Sequence, residues 1–383
     1  MYRYFLDIAK AFDTVSIPIL LKKLELIGIR GLQHQLFTDY LSNRQQRIKI
    51  GSFVSDPLPM VFGVPQGSIL GPTLFLIYIN GLCSLKLRNC KIVTFADDTA
   101  LLFQGESWDQ THEFAQSGFD AVSNWLRGNS LSLNSDKTKY ICFSISSIDR
   151  PINALMSHSS LCLSNGIPNN CSCIDLQCVS SIKYLGIIID NRLTFKEHID
   201  LLSRRIRKLI AIFKNLRYVA EGKLLKTIYF ALCQSLLQYC IGSWGGAAKT
   251  TMLVLERAQR AVLKTATGRP FRYPTEELFK NCQVLTVRQL FIKQIIMNKH
   301  KTSTFDGESY LSQRRKDKIF PTISCNTEFA YRFPFYLDSV LYNRISKFIE
   351  IYPLSLQECK IKLTSWLQTL NYNKTEELLL TVK

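Results

Sequence analysis

Two adjacent aspartates, Asp97 and Asp98, separate two short runs that are rich in apolar and β-branched residues. The runs, Lys91–Ala96 and Thr99–Phe103, have the length and composition of β-strands, so the sequence predicts a hairpin with the aspartates in its turn. A third aspartate, Asp7, ends another apolar run typical of a buried strand. Because a charge beside a buried strand is costly unless it is paired or bound to a cation, the three strand ends are expected to converge.

Two adjacent carboxylates that face a third on a neighbouring strand would make a site of hard oxygen ligands. Such ligands suit Mg²⁺, with Mn²⁺ as an acceptable substitute, and the ion keeps several waters and takes further ligands from substrate phosphates. An Asp-Asp pair on its own is more commonly turn chemistry at a protein surface. The surrounding motifs decide between these two interpretations.

The pattern along the rest of the chain predicts an α+β fold without internal repeats. Helical spacing of apolar residues is found in Ile19–Ile27, Phe37–Leu41, Leu74–Ile79 and Trp108–Arg127. Further strands are predicted at Arg47–Ile50, Lys139–Ser144 and Tyr184–Ile189. From Phe195 onward the pattern is almost entirely helical.

The positive charge is concentrated in the second part of the chain. The formal net charge is +18, yet residues 1–150 hold 15 basic and 13 acidic residues, so nearly all of the surplus follows them. A surplus of this size favours a polyanionic partner, with nucleic acid ahead of an anionic membrane surface. The first part is therefore expected to carry the chemistry and the second part to hold the partner.

The chain is expected to work inside the cell, in the nucleus or the cytoplasm, and not to be secreted. Its 12 Cys are scattered along 383 residues, and its start has no apolar signal region. Thr227–Ala248 is interpreted as a buried helix rather than a membrane span, because Gln234 and Gln238 share one face. No membrane partner is predicted, and the oligomeric state stays open.

Five segments of the chain follow one another in a recognisable order. They are Leu6–Val15, Gly63–Pro72, Phe95–Thr99, Leu133–Thr138 and Lys183–Gly186. These segments resemble motifs A to E of reverse transcriptases, and their amino-acid sequences resemble those of the polymerases of non-LTR retrotransposons of the jockey-like kind. The likeness continues through Leu193–His198 and Tyr239–Ala247 to about residue 290.

The resemblance implies a polymerase active site around the three aspartates. Asp7 corresponds to the metal ligand of motif A, with the Ile8 carbonyl as a second donor, and Asp97 corresponds to the ligand of motif C. Asp98 would support the metal or the primer terminus. Two divalent ions there would activate a primer 3′-hydroxyl and stabilise the departing pyrophosphate. Asp13 also matches the family pattern but is given a structural role.

Substrate-binding roles follow from the same resemblance. Phe12, five residues after Asp7, would be the steric gate that rejects a 2′-hydroxyl, although a lone Phe is otherwise ordinary core. Gln66 and Gly67 lie in a Gly/Pro loop that can approach a nucleotide closely, or that is merely a turn. Lys137 would donate a proton to the leaving pyrophosphate, unless it is a solvated surface lysine.

A predicted hairpin and a basic helix would hold the nucleic acid. Tyr184, Leu185 and Gly186 resemble the primer grip, although a buried strand and turn explain the same residues nearly as well. Four basic residues alternate with apolar positions of one predicted helix: Arg204, Arg205, Arg207 and Lys208. This arrangement leaves a charged face for a duplex backbone or, more simply, for water.

The architecture implied by the resemblance is a reverse transcriptase palm, an antiparallel sheet backed by helices, followed by helical regions. The expected parts are a palm with motifs A to D at 1–148, an irregular insertion rich in Ser, Asn and Cys at 149–180, a palm hairpin with motif E at 181–195, a basic helical thumb at 196–270 and a helical C-terminal region at 271–383.

The implied activity is RNA-directed DNA synthesis, in which dNTPs are joined to the 3′-hydroxyl of a DNA primer on an RNA template. Motif A begins at residue 7, so the fingers region that family members place before it is expected to be missing and the chain to be truncated. Two alternatives remain open. One is a non-catalytic nucleic-acid-binding remnant of such an element, and the other is a maturase-like splicing factor.

Overall fold

The structure is a computed structural model, and it describes residues 1–144, 154–158, 162, 173–305, 319–325, 327, 329–352 and 354–380. The chain divides into two compact units, Met1–Leu193 and Thr194–Lys383, which are described separately. The first unit combines a sheet with helices, and the second is helical. The predicted insertion at 149–180 lies largely outside the described residues.

A five-stranded sheet organises the first unit. In chain order, the described strands of this unit are β1 (Tyr2–Leu6), β2 (Gln45–Gln46), β3 (Lys49–Ile50), β4 (Phe53–Val54), β5 (Leu58–Pro59), β6 (Cys90–Phe95), β7 (Asp98–Phe103), β8 (Lys139–Cys142), β9 (Met156–Ser157), β10 (Ile174–Asp175), β11 (Gln177–Cys178), β12 (Ser181–Tyr184) and β13 (Ile187–Asp190). The main sheet has the order β11-β8-β1-β7-β6, so β1 lies in its centre and pairs antiparallel with β7 and β8.

Four α-helices accompany this sheet in the described part of the unit. They are α1 (Ile17–Leu26), α2 (Gly31–Leu41), α3 (Gly71–Ile79) and α4 (Trp108–Gly128). A 3₁₀ turn, Asn80–Ser84, continues α3. The side chain of Ser107 caps α4 by accepting from the Gln110 amide at 3.2 Å, which satisfies one of the free donors at the start of the helix.

The alternation of side chains along β1 separates the two faces of the sheet. Tyr2, Tyr4 and Leu6 belong to the large core shared with the helices, and the Tyr4 ring stacks on Phe119 of α4 at 5.0 Å. Phe5 points to the other face, where a smaller apolar cluster includes residues of β12 and β13. Both faces of the central strand are therefore buried, and its position is fixed from two sides.

Helices build the second unit. They are α5 (Lys196–Leu216), α6 (Gly222–Tyr229), α7 (Ser235–Gln238), α8 (Ile241–Trp244), α9 (Lys249–Ala266), α10 (Thr275–Cys282), α11 (Val287–Phe305), α12 (Pro334–Ile345), α13 (Leu356–Thr369) and α14 (Tyr372–Leu379). α5 and α9 pack along each other and bury apolar faces that include Ile206 and Val262. Each such Ile or Val contributes about 1.5–3 kcal/mol by leaving water.

Most predicted elements are confirmed, and three details differ. Tyr184–Ile189 was expected to be one strand, but Leu185 and Gly186 have positive φ angles of 46° and 81° and form the turn of the β12–β13 hairpin. Asp98 is the first residue of β7 rather than a turn residue. Thr227–Ala248 is not one buried helix, because a π-helix, Phe230–Gln234, joins α6 to α7, the run ends at Gln238, and its outer side, including Leu232, is exposed. No helix among the described residues is long and apolar enough to span a membrane.

Candidate active site

Asp7 is held by its backbone at the end of the central strand. Its carbonyl accepts a hydrogen bond from the Asn134 amide at 2.8 Å, and its own amide donates to the Thr138 hydroxyl at 3.2 Å. Thr138 is fully buried, so this second contact anchors the residue to the interior. The Asp7 side chain is half-buried at the rim of the sheet.

The Asp97-Asp98 pair lies at the same end of the sheet. Phe95 pairs with Asp98, which leaves Ala96, with a φ of 53°, and Asp97 to make the turn between β6 and β7. In the β1–β7 register Leu6 pairs with Thr99, and continuing this antiparallel register by one residue sets Asp7 opposite Asp98. The fold therefore brings the three predicted carboxylates to one edge.

Electrostatics shows that these carboxylates interact. The pKa of Asp98 is raised above its ordinary value, first by burial and then by the negative charges of Asp97 and Asp7. Uncompensated repulsion of this kind is what a cation would relieve, and the donors are all hard carboxylate oxygens. Within the described ranges, however, no three His, Cys, Asp or Glu side chains are close enough to form a ready metal cage. The expected ligands fit a divalent ion only with further ligands from outside the chain.

Ile8, which follows Asp7, is a buried residue. Ile8 forms an isolated antiparallel bridge with Leu133, whose hydrogen bonds run through the neighbouring residues, from Asn134 to Asp7 and from Ala9 to Ser132. The Ile8 carbonyl is not used by this bridge, as its predicted role as a metal donor requires.

The predicted nucleotide-binding loop is docked on the segment that follows Asp7. Gly63 donates from its amide to the Val15 carbonyl at 2.8 Å, and Val64 donates to the Phe12 carbonyl at 3.0 Å. A Cβ on Gly63 would lie 3.0 Å from the Asp13 Cα, so this close approach requires glycine. Gln66 donates from Nε2 to the Asp13 carboxylate at 2.7 Å. This bond agrees with the structural role expected for Asp13.

The two loop residues with predicted substrate roles face solvent. Gln66 and Gly67 are both exposed, and Gly67 has a φ of 79°. Their backbone is held by the docking of the preceding residues and by Ser68, whose hydroxyl accepts from the Gly71 amide at the start of α3 at 2.9 Å. The loop is thus positioned, but the Gln66 amide must exchange its Asp13 partner to bind a base or sugar.

Phe12 is half-buried and stacks on Phe75 of α3. The ring centroids are 4.6 Å apart with an interplanar angle of 25°. Because α3 belongs to the main core, this stack fixes the plane of the Phe12 ring. A fixed, partly exposed ring agrees both with the steric-gate hypothesis and with the simpler interpretation that Phe12 is an ordinary core residue.

The β12–β13 hairpin approaches the carboxylates from the second face of the sheet. Tyr184 lies 5.0 Å from the Phe5 ring and is buried. The net effect raises the pKa of Tyr184. Burial is the largest cause, the charge of Arg3 acts against it, and the charge of Asp98 adds a smaller rise. Tyr184 therefore lies within electrostatic range of the candidate site. Among the described residues, nothing hydrogen-bonds to its buried hydroxyl.

Lys137 is exposed in the turn that precedes β8. Its amide donates to the Asn134 carbonyl at 3.2 Å, and Asn134 in turn donates to Asp7. Two backbone hydrogen bonds therefore connect the predicted general acid to the predicted metal ligand. The end of the Lys137 side chain remains in solvent.

Comparison with known proteins gives this geometry a family context. The family model "Reverse transcriptase (RNA-dependent DNA polymerase)" matches residues 2–189, which contain β1, the hairpin with Asp97, and β12. Residues 2–189 belong to the reverse transcriptase family. The recognition made from the five motifs is confirmed.

Curated proteins that are similar to this chain come from mobile elements. The probable RNA-directed DNA polymerase from transposon BS of Drosophila melanogaster is 26% identical, over an alignment that covers 74% of this chain and 31% of that protein. The RNA-directed DNA polymerase from mobile element jockey of Drosophila funebris is 30% identical, over an alignment that covers 72% of this chain and 29% of that protein. The chain thus spans less than a third of the length of these relatives.

One solved structure covers a larger part of the chain. A telomerase from Candida albicans, in complex with a fragment of telomeric RNA, covers 81% of this chain and 50% of its own, with 13% identity and a TM-score of 0.31. That TM-score is too low to establish a shared overall fold.

Outside the reverse transcriptase domain, the predicted basic face is exposed on α5. The side chains of Arg204, Arg205, Arg207 and Lys208 all face solvent, and Ile206 between them is buried. The amphipathic pattern in the sequence is therefore confirmed as a helix with one charged face.

Sequence reasoning missed two residues that position the site. Arg3 lies over the rings of Phe5 and Tyr184, with its guanidinium carbon 5.0 and 5.3 Å from the ring centroids. Its place two residues before Phe5, next to the predicted strand, was the available signal, because alternate residues of a strand share a face. Thr138, which anchors Asp7, gave no signal, since its partner is distant in the sequence.

Proposed function

We propose that this chain is part of an RNA-directed DNA polymerase of a non-LTR retrotransposon. It would join dNTPs to the 3′-hydroxyl of a DNA primer on an RNA template, inside the cell. The observation that carries the proposal is the convergence of Asp7 with the Asp97-Asp98 hairpin in a reverse transcriptase domain. The relatives, which are themselves mobile-element polymerases, support it.

The three aspartates would hold divalent ions, Mg²⁺ or in its place Mn²⁺. When bound, these ions would supply activation of the primer hydroxyl and charge stabilisation of the leaving pyrophosphate. Asp7 and Asp97 would be the principal ligands, with the Ile8 carbonyl beside them, and Asp98 would support the ion or the primer end. Since the carboxylates form no ready cage, the triphosphate would complete the ligand set.

Other residues would place the nucleotide. The fixed ring of Phe12 would lie under the sugar and exclude a 2′-hydroxyl. The exposed Gln66 and Gly67 would bind base or sugar by hydrogen bonds and close backbone approach. Lys137, held by the turn next to Asp7, would donate a proton to the leaving group.

Two features would hold the nucleic acid. The hairpin with Tyr184, Leu185 and Gly186 would grip the primer end, which its electrostatic proximity to Asp98 supports. The basic face of α5 (Arg204, Arg205, Arg207 and Lys208) would follow a duplex backbone. In this proposal residues 1–148 are the palm with motifs A to D, 181–195 its hairpin, 196–270 the thumb and 271–383 a helical C-terminal region.

Primer extension on an RNA template tests the proposal. The natural chain should incorporate dNTPs in the presence of Mg²⁺, and the double variant Asp97→Asn, Asp98→Asn should lose at least about 100-fold in rate, because it removes two charges from the metal site. The matched control is Asp39→Asn, Asp56→Asn, which removes two exposed carboxylates of the same unit and should keep full activity. Equal incorporation by both double variants would refute the proposed polymerase activity.

A second candidate function is a non-catalytic nucleic-acid binder derived from such an element. The specific observation in its favour is the lack of a ready metal cage among the described residues. In the same experiment, salt-sensitive binding of primer and template without any incorporation would favour this candidate over the polymerase.

A further inference from the structure

A cavity of about 830 Å³ opens in the second unit, remote in sequence from the proposed catalytic residues. It is enclosed by the segment after α5, by α6, by the end of α9 and by α10. Its inner wall is apolar and includes Leu225, Leu263 and Leu278, all buried. Its volume falls within the range of small-molecule binding sites, about 300–1,000 Å³.

Two pairs of an arginine and a tyrosine line the mouth of this cavity. The Arg217 guanidinium lies 4.6 Å from the Tyr218 ring centroid, and the Arg269 guanidinium lies 4.9 Å from that of Tyr273. Tyr218 is 72% exposed, so one face of its ring is open to a ligand. Each pair offers a flat aromatic surface with a cation attached to it.

The charge of the lining is entirely positive. Arg217, Lys226 and Arg269 line the cavity, and in this fully described stretch no Asp or Glu does. Lys226 and Arg269 converge on Cys282, because both lower the pKa of its thiol against the larger raising effect of burial. The Lys226 ammonium also donates to the Gln283 side chain at 2.9 Å. An anionic group would find two or three cations within one small space.

We propose that this cavity binds an unpaired nucleotide of single-stranded RNA, with the base against the Tyr218 and Tyr273 rings and the phosphate near Arg217, Lys226 and Arg269. Stacking on aromatic rings with cations alongside is how proteins hold single strands without sequence preference. A duplex hides its bases and would use only the flat basic face of α5. An acidic peptide would pair with the arginine and lysine side chains but would have no flat group to stack on the two tyrosine rings.

The site rests on the proposed function only in the choice of RNA as ligand. It can be tested in the full chain that carries Asp97→Asn and Asp98→Asn, so that failure of the polymerase proposal and failure of this one are distinguishable. The probe is a fluorescently labelled ten-nucleotide oligo(U) RNA, compared with the same strand made entirely of abasic nucleotides and with an RNA duplex of equal length. Fluorescence anisotropy gives the dissociation constants.

The deciding variants are Tyr218→Ala, Tyr273→Ala and, as their matched control, Tyr218→Phe, Tyr273→Phe. The parent chain should prefer oligo(U) over the abasic strand by at least about 5-fold, since stacking contributes appreciably per base. The Ala pair should abolish this preference and leave duplex binding unchanged, while the Phe pair should keep the preference.

Three results would overturn the site. They are a preference that survives the Ala pair, an equal loss of abasic-strand and duplex binding, and displacement of oligo(U) by polyglutamate at the concentration at which unlabelled RNA displaces it. The last result would assign the cavity to acidic peptides. If the Ala pair does not fold, Tyr218→Ala alone decides the question, because Tyr218 is mostly exposed.

Discussion

At the scale of single residues, the stack of Phe12 on Phe75 leads to a prediction about sugar selectivity. Phe12→Val removes the ring that would lie under the sugar, so incorporation of ribonucleotides relative to deoxynucleotides should rise at least about tenfold. Primer extension with single nucleotides measures this ratio. Phe53→Val, at an 82% exposed ring, is the matched control and should leave it unchanged. Unchanged selectivity in Phe12→Val would refute the gate.

Glu256 gives a second prediction at this scale, on stability. Burial raises its pKa to about 7, against the opposing effect of Arg288 and with a further rise from Glu376. Arg288 is already paired with Glu376 at 3.0 Å. A carboxyl whose pKa is raised by folding stabilises the protein below its ordinary pKa of 4.5, and this contribution is lost as the pH rises towards 7.

Glu256→Gln removes that titration while keeping the shape of the side chain. Relative to the natural chain, the variant should therefore gain stability between pH 5 and pH 8, by about 3 kcal/mol at most. Urea unfolding at the two pH values measures the difference. A constant difference in the free energy of unfolding across this range would show that Glu256 titrates normally.

At the scale of elements, the docking of the 63–71 loop on the segment after β1 can be tested with glycine substitutions. Gly63→Ala places a Cβ 3.0 Å from the Asp13 backbone at a φ of 86°, whereas Gly51→Ala has a φ of 61° and nothing within 4 Å. Both variants carry the cost of a positive φ, about 1 kcal/mol.

Gly63→Ala should lose a further 1–3 kcal/mol, roughly, because the loop must move off its support. Thermal or urea unfolding gives both values, and the same displacement should raise the KM for dNTPs only in Gly63→Ala. Equal losses in the two variants would mean that the loop is not docked as described.

The basic face of α5 gives a prediction about nucleic-acid binding. Reversal of Arg204, Arg205 and Lys208 to Glu should weaken binding to every duplex sequence alike and reduce the salt slope by about one per lost phosphate contact. The matched control reverses three exposed lysines of the same unit: Lys347, Lys360 and Lys362. A loss confined to one sequence, or an equal loss in the control, would contradict backbone binding.

Local pattern predicted the elements well where it was strong. The helix Trp108–Gly128 follows from apolar periodicity, and the β6–β7 hairpin follows from two β-branched runs. The apolar pattern of Tyr184–Ile189 predicted one strand, and a hairpin at 181–195 was implied only by the resemblance. Gly186, at a φ of 81°, was the local signal of the turn.

At the scale of the whole molecule, the order of the motifs predicted the family. The geometry of the site could not be predicted in the same way, because it depends on how the strands pair in the sheet. The approach of Asp7 to Asp98 depends on β1 lying next to β7, a pairing between strands more than 90 residues apart that no local pattern encodes. The anchor of Asp7 on Thr138 and the packing of Arg3 on Tyr184 depend on the same long-range arrangement. The cavity in the second unit had no sequence signal, because it arises where α6, the end of α9 and α10 pack near the segment after α5, and no local pattern encodes that packing.

Asp7 and the β6–β7 hairpin are proposed to hold the same divalent ions. Electron paramagnetic resonance of Mn²⁺, in the presence of primer, template and a non-hydrolysable dNTP, measures this binding directly. Asp7→Asn and Asp97→Asn should each weaken Mn²⁺ binding by at least about tenfold, because each removes one carboxylate from a shared site, while Asp39→Asn should bind as the natural chain does. Wild-type Mn²⁺ affinity in Asp7→Asn, alongside a loss in Asp97→Asn, would contradict the account.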